Sequence, residues 1–226
     1  MPEHHKLKGR RMVRLDLQVL TAAPYQVVYS LGSNCLPATE LHRVGLRKAS
    51  GPLDWMYAPD VWGVIDLLNS DFNDFFERSH LEASGYNKAS GCHQVLDRKY
   101  RMVSMHDFDA IQNTAGGLEN LQAVREKLMR RATRMLDDMR EMDRILFIRT
   151  DTTMQEAIEL RKVLERKVHG TYGLLIVNHV KHVHAVKDLQ FPLSSVSLLE
   201  IPYVNDEFKE NTAIWTEVLS QIQMAV

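Results

Sequence analysis

The chain has 226 residues, 45% hydrophobic and 25% charged, which suffices for a core of its own and excludes a disordered or fibrous sequence. Its formal net charge of -1 gives no electrostatic case for nucleic acid or an anionic membrane as partner. The two cysteines, Cys35 and Cys92, are too few for a secreted disulfide scaffold and point to a reducing, cytoplasmic setting. Residues 1–24 open basic, with Lys6, Lys8, Arg10, Arg11 and Arg14, while Asp16 and Gln18 break the apolar core of a signal peptide. This segment is expected to be a poorly ordered extension or a loosely docked arm. No stretch approaches the ~20 apolar residues of a membrane span.

Val27-Val28-Tyr29-Ser30-Leu31 reads as a buried strand, Gly32-Ser33-Asn34 as a tight turn, and Leu36 to Val44 as a helix. A loop with Gly51-Pro52 and Leu53-Asp54-Trp55-Met56-Tyr57 follows. Val61, Val64, Ile65 and Leu68 form one helical face, with Asp60 as N-cap. Asp71 to Phe76 reads as a short aromatic turn of helix, and the polar run Glu82 to Gly91 as a loop. Val95 to Met105 alternates loosely and suggests one or two strands, ending at His106-Asp107-Phe108.

From Leu118 to Met142 apolar residues recur at helical spacing, predicting one long amphipathic helix. Arg144 to Arg149, Gly173 to Val177 and Val196 to Ile201 are buried strands; Met154 to Val168 and Asn211 to Met224 are helices. Continuous apolar strands separated by helices predict a layered α/β domain, a mostly parallel sheet with helices on both faces. That domain spans residues 25–226, with an insertion-like segment at about 46–114.

Within this frame Cys35 stands where a strand turns into a helix. Unpaired N–H groups and the macrodipole at a helix N-terminus favour an anion, so a thiol there is expected to have a lowered pKa. The plainer reading is a small buried cysteine that packs. Arg149 and Asp151 follow another buried strand, at the carboxyl edge where parallel sheets bind ligands. Arg149 could hold a carboxylate or phosphate there, or form a strand-capping ion pair. Asp54 and Trp55 could line a pocket, or simply anchor the Gly-Pro loop. His179, His182 and His184 show no recognised metal-ligand pattern and read as solvated loop histidines. Cys92-His93 reads as part of a polar loop. Gly32-Ser33-Asn34 lacks the spacing of a nucleotide fingerprint, so neither cofactor nor metal is expected.

Several short blocks together resemble a bacterial family of unknown function described as putative papain-like cysteine peptidases. They are Ser30-Leu31-Gly32-Ser33-Asn34-Cys35, Gly45-Leu46-Arg47, Gly51-Pro52-Leu53-Asp54-Trp55, Asp71-Phe72, His106-Asp107, Arg131-Ala132-Thr133-Arg134-Met135 and Ile145-Leu146-Phe147-Ile148-Arg149. The resemblance implies Cys35 as nucleophile and His106 as its base, with Asp107, Asp54 or Asp151 orienting the imidazole. A papain-like α+β arrangement is the less favoured alternative for the fold, since the Cys-Gly-Ser-Cys signature is missing and leucine follows Cys35. The Cys35 N–H and the Asn34 side-chain amide are candidate donors to a developing oxyanion.

Three function classes remain open, the last a binding module without chemistry. One is a cysteine-dependent hydrolase or acyl transferase acting on a peptide, amide or thioester. Another is a protein that binds or modifies a glycan or activated sugar in a pocket of Asn34, Asp54, Trp55 and Arg149, with Cys35 only packing. Ser33 and Asp151 are further candidate substrate-binding residues.

Overall fold

The computed structural model describes residues 18–191 and 193–225. The first part of the chain runs α1 (Gln18–Thr21), β1 (Val27–Ser30), α2 (Leu36–Arg43), β2 (Met56–Tyr57), α3 (Val61–Asn69), β3 (Leu81–Asn87), β4 (Cys92–Asp97) and β5 (Met102–Asp109). It continues with α4 (Leu121–Glu141), β6 (Arg144–Thr150), α5 (Met154–Lys167), β7 (Thr171–Val180), β8 (Lys187–Asp188), β9 (Val196–Pro202), α6 (Glu207–Glu210) and α7 (Thr212–Leu219).

The apolar strands assemble one central sheet in the order β1-β6-β7-β9-β8. Its first four strands are parallel, and only the short edge strand β8 runs against them. Side chains alternate across a strand, so each strand feeds two cores. Tyr29, Phe147, Leu174 and Ile176 face one core with α3, α4 and α5; Val28, Leu146, Ile148, Leu175 and Val177 face the other with α1, α2 and α7. This is the layered α/β arrangement that the continuous apolar runs predict.

Residues 46–114 carry α3 and a second, antiparallel sheet in the order β2-β5-β4-β3. Its inward residues Met56, Val95, Met102 and Phe108 join the core beneath α4. The basic part of the N-terminal extension lies outside the described residues. Its last part is docked: Leu20 and Tyr25 are buried, and Tyr25 pairs with Met224 near the other end of the chain.

Four expectations are corrected. Asp71 to Phe76 is a run of turns with positive φ at Asp71, Phe72, Asp74 and Phe76, so it cannot be helical. Its three phenylalanines are buried one against the next, which selects that backbone. The supposed loop Glu82–Gly91 is largely β3, a polar edge strand held by main-chain pairing to β4 and therefore without an apolar period. Cys92-His93 belongs to β4, not to a loop. The last helix stops at Leu219, because the chain beyond it turns back to bond Tyr25 through Gln223 and Ala225.

Candidate functional site

The carboxyl edge of the central sheet is built from the turns after β1 and β6. Leaving β1, Leu31 N–H still bonds the Ile148 carbonyl (2.8 Å), and Gly32 turns with φ +84°. Only glycine fits there without strain, since an added Cβ would also lie 3.2 Å from the Arg149 guanidinium. The Gly32 carbonyl accepts from Thr150 N–H (3.2 Å), which ties this turn to the end of β6. The Ser33 hydroxyl donates to Asp151 (2.6 Å), and the Ser33 carbonyl accepts from Ala58 N–H (2.6 Å). The Asn34 side-chain oxygen accepts from Leu36 N–H (2.8 Å), satisfying one of the open donors of α2.

Cys35 is the N-cap residue of α2 and is partly exposed. Burial pushes its thiol pKa up, with its own backbone N–H acting the other way. The structure thus gives the opposite of the expected lowering, because desolvation outweighs the backbone N–H. Cys92, by contrast, is buried in β4, and its thiol donates to the Ser90 carbonyl.

Arg149 does not serve as the anion clamp its position suggests. Its side chain is 0% exposed and donates to the carbonyls of Leu31 (2.5 Å), Ala58 (2.7 Å) and Pro59 (3.3 Å) and to the Thr152 hydroxyl (3.1 Å). Asp151 stays exposed beside it, at φ +51°. Arg149 thus braces the floor of the edge while Ser33, Asn34, Cys35 and Asp151 form its rim.

The other predicted residues lie around the Gly-Pro loop and β5. Asp54 is buried, paired with Arg47 and accepting from Gly51 N–H (2.9 Å). Trp55 lies between the Arg47 guanidinium, 5.5 Å from its ring centre, and His106, which meets it edge-on at 5.7 Å. His106 is exposed. Asp107, the next residue of β5, is buried. It accepts from Ser104 (2.6 Å) and Lys127 (2.6 Å), partners that leave it no part in orienting His106.

A family model described as "Putative papain-like cysteine peptidase" matches residues 26–182, from β1 through β7 and more than half of the chain. The chain belongs to this family. It is also 35% identical over 68 residues to an uncharacterized protein of Acanthamoeba polyphaga mimivirus. That match covers 30% of this chain and 29% of the viral protein's length. No solved structure gives a significant match.

The family-matched region also holds a residue that the sequence reading leaves in solvent. His179 is on β7, and its side chain is only 2% exposed. It packs against Trp215 of α7, ring centres 6.2 Å apart, with Glu207 of α6 3.8 Å from Nδ1. Burial pushes His179 down against the pull of Asp151, while burial and Asp151 push Glu207 up. Both shifts oppose a charged pair, so the 3.8 Å approach is contact rather than an ion pair. The period of two was the available signal: Leu175, Val177 and His179 share one face of the strand. Among the described residues no group of three or more His, Cys, Asp or Glu could hold a metal ion. None of the described helices is long and apolar enough to cross a membrane.

Proposed function

We propose that the protein is a cysteine-dependent hydrolase or acyl transferase with Cys35 as nucleophile, acting on a peptide, amide or thioester carbonyl. The observation that carries this reading is the placement of Cys35. It is a partly exposed thiol that opens α2 at the carboxyl edge of the parallel sheet, in a chain of a peptidase-like family.

In this reaction the Cys35 S–H proton passes to a base, and sulfur adds to the substrate carbonyl carbon. The leaving group departs with that proton, and water or another acceptor then cleaves the thioester. The raised thiol pKa requires a base, because little thiolate exists at neutral pH without one. The Cys35 N–H and the Asn34 amide group stand at the rim as oxyanion donors. The family resemblance assigns the base to His106. The glycan reading has less support, since Arg149 spends its donors on main-chain carbonyls and Asp54 is paired with Arg47.

The test is covalent trapping with a small acyl thioester and with an electrophilic peptide ketone, located by peptide mass spectrometry. The expected adduct is on Cys35, absent in Cys35→Ser, with Cys92 unmodified. Modification of neither cysteine, or of both equally, would sink the proposal.

A further inference from the structure

The cysteine mechanism leaves a set of buried polar groups unexplained, all on one face of the carboxyl edge. The alternation that puts Val28, Leu146, Ile148, Leu175 and Val177 under α2 and α7 carries on, placing Ser30, Thr150 and His179 on that same face. Thr150 Oγ1, both ring nitrogens of His179 and Trp215 Nε1 are buried there without a hydrogen-bond partner among the described residues. Buried polar atoms are nearly always bonded, so this grouping marks a place made to receive something.

Cys35 opens α2, a helix that packs on this same face. Leu36, the next residue, packs in one cluster with Val177 and Trp215. The levels also match: Thr150 N–H bonds the Gly32 carbonyl (3.2 Å), Thr150 is in register with Val177, and His179 lies two residues further along β7. Only β6 separates β1 from β7, so their backbones are roughly 10 Å apart, a gap that two side chains and a bound carbonyl group can fill.

We propose that His179 is the catalytic base of Cys35, its ring nitrogen taking the thiol proton inside this buried face. The proposal rests on the cysteine-hydrolase reading and changes the identity of its base. A buried neutral imidazole has a free lone pair for the S–H proton. The imidazolium it becomes is flanked by Asp151 from the turn after β6 and by Glu207 from α6. The S–H bond breaks as N–H forms, and the C–S bond forms as the substrate's C–N or C–S bond breaks. The leaving group takes the proton from the ring. Water then gives its proton to the ring, cleaves the thioester and releases the acid, and the ring reprotonates sulfur. No direct hydrogen bond joins Cys35 to His179 among the described residues. Catalytic contacts of this kind are commonly long before substrate binds.

The test follows Cys35 acylation by a small acyl thioester from pH 5 to 10, by peptide mass spectrometry on the full chain. With His179 as base, the rate rises through a low-pH limb and reaches a plateau before the thiol itself ionises. His179→Gln should remove the plateau, leaving a rate that climbs with pH and is at least tenfold lower at pH 7. Asp151→Asn keeps the ring in place and should move the low-pH limb to lower pH, so the idea stays testable if the glutamine variant misfolds. A plateau that survives in His179→Gln but vanishes in His106→Gln overturns His179 and leaves the cysteine mechanism standing. No acylation of Cys35 at any pH ends both.

Discussion

Arg149 shows how one side chain can organise a site without touching a ligand. Burial pushes its pKa down to about 10, against the pull of Asp151, so it keeps its charge at neutral pH. Its planar fork reaches the end of β1 through the Leu31 carbonyl and the entrance to α3 through the Ala58 and Pro59 carbonyls. Those segments are far apart in sequence and would otherwise present bare acceptors to each other. Arg149→Met strands the Leu31 and Ala58 carbonyls, each at about 1–3 kcal/mol. The expected result is a loss of several kcal/mol in urea unfolding. Arg149→Lys should recover only part of it, because an ammonium cannot serve several carbonyls in one plane. A methionine variant of native stability would refute the bracing role. The pattern of Arg144–Thr150 could not reveal this, since a strand-end arginine facing a ligand and one facing carbonyls look alike in sequence.

Among the elements, α3 shows what periodicity can and cannot report. Its apolar face and its Asp60 cap, which accepts from Trp62 N–H (3.0 Å), both follow from the residues. Its closest contact does not. A Cβ on Gly63 would lie 2.0 Å from the Tyr100 carbonyl in the turn between β4 and β5, so the helix sits directly on that backbone. Gly63→Ala is helix-favouring by propensity, yet it should destabilise the protein by about 1–3 kcal/mol through overpacking. A thermal unfolding midpoint that rises in this variant would show that α3 does not depend on the close approach. The same limit explains β3. A strand held at the sheet edge by main-chain bonds, with exposed residues along most of its length, carries no apolar period to find. The buried strands β1, β6, β7 and β9 were legible because both of their faces are covered.

For the molecule as a whole, the central sheet separates two cores, and the candidate site stands where its carboxyl edge meets the end of each. The edge residues Ser33, Asn34, Cys35 and Asp151 could be anticipated because strand ends in a parallel sheet share one side. For His179 the period of two gives only the strand face, because strand order and the docking of α7 decide whether a strand-end histidine meets water or Trp215. That docking makes the fold sensitive to acid. With its folded pKa pushed below the unfolded value of about 6.5, His179 contributes stability that is complete above that value and is lost as pH falls through the folded pKa. Asp97 and Glu207, pushed up by burial, act with the opposite sign. Their contribution is complete below the ordinary carboxylate range and fades as pH rises through their folded values. Thermal midpoints between pH 5 and 7 should therefore rise with pH more steeply in the parent protein than in His179→Gln, which has no ring to protonate. Equal slopes would mean that His179 is protonated in the folded state as readily as in the unfolded chain. A ring so easily charged could not wait, neutral, for the proton of Cys35.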